Sequence, residues 1–478
     1  MINSVIREKI LKYRHTVEFL IIFAIGYFIA YTVANNKINP FYILGFILLP
    51  IVVLSKLRVN KLLAIFILIF PFNYWISIGK INVNLVESLI LIMFFLWVFN
   101  YLLKGSIKYR DNSFNKWILA YILVSFILLF NSSLNDKDVY KAIARTIEFG
   151  MLFYVIVNNL PVEIDEKYFK KLSNLLLFGM MIVCFLGIIE YLIYCINYPD
   201  SFIEFHKKMI LSGIYPPRSV SSIINLSYEG RTIGSTLGSK SALSIYLSII
   251  IPLFFLKMIY AKGLNQKMVF IFVFLLGLFS LLLTGSRTGF FSLIIGMLLI
   301  LFVLGRTRKI KIILTIVSGL LLFIYFLPEE FQQRLTFRSS ESTISGRKSY
   351  MIRSLNIIKD NVILGAGIDS VGGKAGESKP HNAFLIEFQT KGIAAFIILI
   401  GLFFQSFRYS YKNMLIYKND KSEIGIYAIW SFITVFIYFL ISLAAEPFWE
   451  NQTSVLFILA IAISVILRRN SDKMLEKS

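Results

Sequence analysis

Charge is what this chain has least of. Asp, Glu, Lys and Arg make up 16% of its 478 residues, against roughly 25% in an ordinary soluble domain. That shortage excludes a globular surface built for water. Cysteine is scarce too: Cys184 and Cys195 are the two in the chain, and both fall in one predicted helix. Their spacing puts them about 16 Å apart along a helix axis, so they cannot bridge each other. There are only three histidines, and no His, Cys, Asp or Glu set has ligand spacing, so no metal and no cofactor is expected. Internal repeats are absent, which argues against a transporter built from related halves. No small-residue cleavage site follows the first apolar run, Val17–Ala34, although Arg7, Lys9, Lys12 and Arg14 precede it. That run reads as an uncleaved anchor.

What the chain has in abundance is apolar sequence, 57% of all residues. Runs near the spanning length of about 20 residues recur throughout. Spans are expected near 17–34, 38–54, 62–77, 85–103, 117–130, 142–158, 172–196, 241–260, 268–284, 289–304, 311–327, 383–405, 425–443 and 453–467. The expected fold is therefore an all-α integral membrane protein, a polytopic bundle of about 12–14 transmembrane helices. Alternate short gaps carry the Lys and Arg: 56–61, 104–116, 167–171, 257–267, 306–311, 408–421 and the tail from Arg468. Basic loops stay in the cytoplasm, so both termini read as cytoplasmic and the long loops as external. The net charge of +22 is explained by those loops, and no nucleic-acid partner is implied. The chain then divides into N-terminal spans 1–196, an outer loop 197–240, central spans 241–327, a large outer loop 328–382, and C-terminal spans with a tail, 383–478.

Glu87, Arg145, Glu148, Glu190, Glu387 and Lys391 all fall in the outer halves of their spans on this topology. Charges inside a membrane face a bundle interior or a watery cavity. Their shared side predicts a polar cavity opening outward, although Arg145 and Glu148 at i,i+3 could simply satisfy each other. The loop 328–382 adds Arg334, Arg338, Arg347, Lys348 and Arg353. Within it, Met351, Ile352, Leu355 and Ile358 recur at helical spacing, so an interfacial helix is expected over 347–359. Thr284–Gly289 reads as a tight outer turn, with Ser286 or Thr288 capping the next helix and Arg287 at a helix N-terminus suited to an anion. Arg231 precedes the span at 241 and also reads as a headgroup anchor. His381 precedes Asn382, a candidate cap of the span at 383.

Arg231 with Gly234, Thr284-Gly-Ser-Arg287-Thr-Gly289, Ser345-Gly-Arg347 with Gly365-Ala-Gly367, and His381-Asn382 followed by Lys391-Gly392-Ile393 together resemble the O-antigen ligase and polymerase family, over roughly residues 225–400. Ser239-Lys240-Ser241 stands where that family often has an Asn-Pro-Asn-like run, and Tyr350 where an aromatic, often Trp, is common. The resemblance implies a metal-independent membrane glycosyltransferase using a polyprenyl-pyrophosphate-linked glycan donor on the outer face of the bacterial cytoplasmic membrane. Its partners would be a glycan or lipid acceptor, the bilayer and other polysaccharide-assembly proteins. It also implies that Arg231, Arg287 and Arg347 hold the pyrophosphate and that His381, with Arg347, is catalytic. Arg145, Glu190 and Glu387 are expected as further contributors. Polymerisation of repeat units is the preferred reading, ligation to another acceptor the close alternative, and a lipid-linked glycan flippase the rival of another class.

Overall fold

The computed structural model of the protein describes residues 59–72, 75–78, 81–104, 112–133, 137–159, 166–196, 204, 207–208, 233, 235–237, 239–304, 341–372, 380–449 and 451–477. The spans expected at 17–34, 38–54 and 311–327, most of the loop 197–240 and residues 328–340 lie outside them.

In chain order the described helices are α1 (Val59–Ile69), α2 (Leu85–Lys104), α3 (Phe114–Ser125), α4 (Leu128–Asn131), α5 (Lys137–Asn159), α6 (Glu166–Ile196), α7 (Lys240–Tyr260), α8 (Leu264–Leu283), α9 (Arg287–Val303), α10 (Glu341–Asp360), α11 (Asp369–Gly372), α12 (Ala383–Tyr417), α13 (Glu423–Ser442) and α14 (Asn451–Lys477). Among the described residues seven are long and apolar enough to cross a membrane, and two shorter apolar helices, at Leu85–Val98 and Arg287–Val303, accompany them. The protein is a polytopic helical membrane bundle.

Several helices start where local chemistry dictates. Ser239 accepts the N–H of Ala242 at 3.0 Å and opens α7, and Asn382 accepts that of Leu385 at 3.0 Å and opens α12, each satisfying an orphan donor of the first turn. One expected span is corrected. The run 62–77 does not continue as a helix: α1 ends at Ile69, just before Pro71, whose ring and missing N–H stop the ladder. The chain then forms an antiparallel hairpin, β1 (Trp75–Ile78) with β2 (Ile81–Asn84), in which Trp75 pairs with Asn84 and Ile78 with Ile81. The β-branched alternation of Ile-Asn-Val-Asn suits a strand better than a helix.

α7 is the axis of the bundle, with 89% of its spanning window buried, as an all-round apolar helix must be. It packs against α8, α9 and α13. α12 lies against α3, α13 and α14, and α5 against α2, α3 and α14. Outward-facing Leu123, Phe178, Phe302 and Phe404 stay exposed, which suits lipid. In lipid, apolar burial does not drive helices together, so polar contacts and close packing carry weight. Trp430 of α13 donates its indole N–H to the Ile249 carbonyl at 2.9 Å, near Pro252, where the proline loosens the helix. Gly289 lets α9 approach α7 so closely that a Cβ there would sit 2.8 Å from Ser244. At the ends that loop charge assigns to the inside, Lys257 bonds both carboxylate oxygens of Glu423 at 2.6 and 2.7 Å.

Candidate functional site

The site begins with a helix that breaks. Gly392 inside α12 has φ +77° and ψ −171°, a conformation nearly restricted to glycine. In an unbroken helix the Gln389 carbonyl would take the N–H of Ile393. Here the loop after α10 supplies the missing partners. Ile393 donates to the Val362 carbonyl at 2.9 Å, Ala366 to the Gln389 carbonyl at 2.7 Å, and Gly367 to the Thr390 carbonyl at 3.2 Å. Asn131, closing α4, donates its amide to the carbonyls of Leu364 at 2.5 Å and Thr390 at 2.9 Å. Irregular backbone at membrane depth is tolerated where protein satisfies it, and these bonds do so. Gly365 and Gly367 both have φ +76°, and a Cβ on Gly365 would lie 2.5 Å from the Thr390 backbone. Gln389 ties the assembly to α10 and α11, accepting from Ser354 at 2.6 Å and donating to the Ser370 carbonyl at 2.9 Å.

Beside this break a cavity opens between α2, α3, α5, α12 and α14, with about 650 Å³ of space counting its mouth. Its polar wall comprises Glu87, Tyr121, Arg145, Glu148, Glu387 and Lys391, and its aromatic wall includes Phe149 and Phe448. Lys391 bonds Glu387 at 2.8 Å, both nearly fully buried, and its ammonium stands 5.0 Å from the Tyr121 ring centre. Glu148 makes no hydrogen bond or ion pair with another described residue.

His381 stands at the start of α12 with φ +44°, an uncommon conformation for a residue with a side chain. Its Nδ1 lies 3.5 Å from Glu446 Oε1, and its ring is about half exposed while Glu446 is mostly buried. The adjacent Asn382 donates to the Leu443 carbonyl at 3.1 Å, which ties the start of α12 to the end of α13. Glu446 is two residues from Phe448, so the pair stands next to the cavity wall.

Residues 270–400 match the family model described as O-antigen ligase. That stretch is similar to the O-antigen ligase family. The match supports its place in the O-antigen ligase and polymerase family; no curated protein matches the chain.

The matched stretch contains Arg287, Arg347, His381, Glu387 and Lys391, whereas Arg145, Glu148 and Tyr121 belong to helices outside it and Glu446 to the turn after α13. Arg231 lies outside both the match and the described residues. Arg287 is the first residue of α9, as expected for an N-terminal position. Ser286 takes the cap position, but its hydroxyl accepts from Ser244 at 2.8 Å and not from the helix backbone. Arg347 is exposed on α10. That helix forms over Glu341–Asp360, and its Ser354 and Ile358 turn inward while Met351, Ile352 and Leu355 face out.

None of Arg287, Arg347 and His381 lines the cavity, which instead gathers five of the six intramembrane charges. Glu190 is the exception: buried on α6, it accepts the Ser235 N–H at 2.8 Å and holds a strained turn with Ser235 at φ +48°. Among the described residues no group of three or more His, Cys, Asp or Glu is placed to hold a metal ion. Sequence reasoning missed Glu446 and Tyr121. Glu446 was findable as the acid in the short outer gap between α13 and α14; Tyr121 carried no signal beyond being one of 25 tyrosines.

Proposed function

We propose that the protein is a membrane glycosyltransferase that polymerises polyprenyl-pyrophosphate-linked oligosaccharide units of a surface polysaccharide, outside the bacterial cytoplasmic membrane. The observation that carries this reading is the O-antigen ligase match over 270–400, the stretch that bears Arg287, Arg347 and His381. The acceptor hydroxyl attacks the anomeric carbon of the donor sugar, its proton passes to His381, and the bond from that carbon to the pyrophosphate oxygen breaks. The carrier pyrophosphate leaves with the electron pair. Arg231, Arg287 and Arg347 receive the growing negative charge, which fixed guanidiniums stabilise without reorganising and whose oxygens they match two at a time. Glu446, 3.5 Å from Nδ1, acts as a positioning residue: with the Nδ1 proton directed at the carboxylate, Nε2 is left to accept. No step calls for a metal or a cofactor.

Ligation is the second reading, favoured by the description of the matched family. Reconstitution with a lipid-linked repeat unit separates the readings. Lengthening chains support polymerisation, and transfer to a different acceptor supports ligation. Passage across the bilayer without a new glycosidic bond defeats both in favour of a flippase.

A further inference from the structure

We propose that the cavity between α2, α3, α5, α12 and α14 seats a neutral or amine-bearing sugar ring of the acceptor glycan, and not the donor pyrophosphate. This rests on the glycosyltransferase reading above.

Charge decides against phosphate. The wall holds three acidic side chains, Glu87, Glu148 and Glu387, and two basic ones, Arg145 and Lys391, so positive charge is nowhere in excess. Lys391 is already committed, bonded to Glu387 at 2.8 Å and set over the Tyr121 ring. A pyrophosphate would add two or more negative charges to a cavity with no net positive charge to receive them. A sugar brings what the wall lacks. A carboxyl group keeps acceptor oxygens whether or not it is ionised, and those of Glu148 are not hydrogen-bonded by any described residue. Sugar hydroxyls, or an ammonium group, supply the donors. Phe149 and Phe448 present aromatic surface, whose electron-rich faces suit the positively polarised C–H groups of a pyranose ring.

Position selects the acceptor. Glu387 follows His381 by six residues, about 9 Å of helix, and Phe448 is two residues from Glu446, the partner of His381. A ring seated there belongs to the glycan whose hydroxyl reaches His381. The arginines assigned to the donor, Arg287 and Arg347, lie off the cavity wall.

The test uses the full chain in lipid nanodiscs, with lipid-linked donor and acceptor glycan varied separately. Glu148→Gln and Phe448→Leu should each raise the acceptor KM about 5- to 50-fold, the worth of one buried hydrogen bond or its equivalent. Donor KM and kcat at saturating acceptor should hold within about twofold, the signature of lost ground-state binding. Ala142→Met, which fills the cavity from its wall, should act the same way and carries the test if Glu148→Gln does not fold. An unchanged acceptor KM in the folded variants overturns the proposal, as does a rise in donor KM instead. A second readout is independent of turnover. In a cysteine-free background, Glu148→Cys should be shielded from a small thiol reagent by the acceptor glycan and not by inorganic pyrophosphate. Shielding by pyrophosphate, or by neither, overturns it. Failure of the wild type to transfer any sugar, with shielding by the glycan intact, would remove the enzyme reading and leave the sugar site.

Discussion

The most informative residue is His381, because its backbone conformation and its partner are both unusual. A non-glycine residue at φ +44° costs on the order of 1–3 kcal/mol and persists where its surroundings hold it. Asn382 and Glu446 do that here. If His381 is the base, His381→Ala should leave donor binding unchanged while single-turnover transfer falls about a hundred- to ten-thousand-fold. Glu446→Gln should lower the same step more modestly, and Glu446→Asp should restore part of it. Donor binding falling in parallel with turnover in both variants would mark the pair as structural. The arginines make a separate prediction. Arg287→Lys and Arg347→Lys keep the charge but lose the two-pronged fork, so each should weaken donor use about 10- to 100-fold. Steady-state assays with donor varied will show it.

At the scale of elements, the break in α12 is held from outside the helix. Its freed groups go to the 362–367 loop and to Asn131, so helix, loop and α4 should behave as one cooperative unit. Gly392→Ala should cost about 1–3 kcal/mol from conformation alone, and more from overlap with the Ile363 carbonyl that a Cβ would meet. A lowered unfolding midpoint in detergent is expected, and an unchanged one would mean the break is not needed. The Lys257–Glu423 pair makes the opposite kind of prediction. Lys257 is 4% exposed and Glu423 15%, so Lys257→Met alone strands a mostly buried carboxylate and should cost up to about 3–5 kcal/mol. Lys257→Met with Glu423→Gln should recover much of that loss in the same melt.

At the scale of the whole molecule, loop charge and helix order make one topology. Cysteines placed at Lys359 and Lys262, both exposed, should differ: an impermeant reagent applied to intact cells should label the first and spare the second. Labelling of position 262 would reverse the orientation and take the proposed outer site with it. Activity should also withstand chelators; loss that added metal restores would break the metal-independent mechanism.

The sequence by itself determined what depends on near neighbours. Most of the described span positions, the cap at Asn382 and a helix over 347–359 were readable, because apolar runs, cap chemistry and helical spacing act within a few residues, whereas the side-chain cap expected at Ser286 does not form. The third expected span failed for the same local reason: Pro71 interrupts its apolar run, and α1 ends at Ile69. Tertiary structure decided the rest. Glycine at 392 is compatible with a helix or a break, and only the docked loop 362–367 provides the partners that make a break affordable in lipid. Glu190 shares its sequence signal with Glu87, Glu148 and Glu387, yet it bonds the Ser235 turn while they face one cavity. Which charges meet depends on how antiparallel helices rotate against each other, and in a membrane that rotation is set by packing and polar contacts between distant residues.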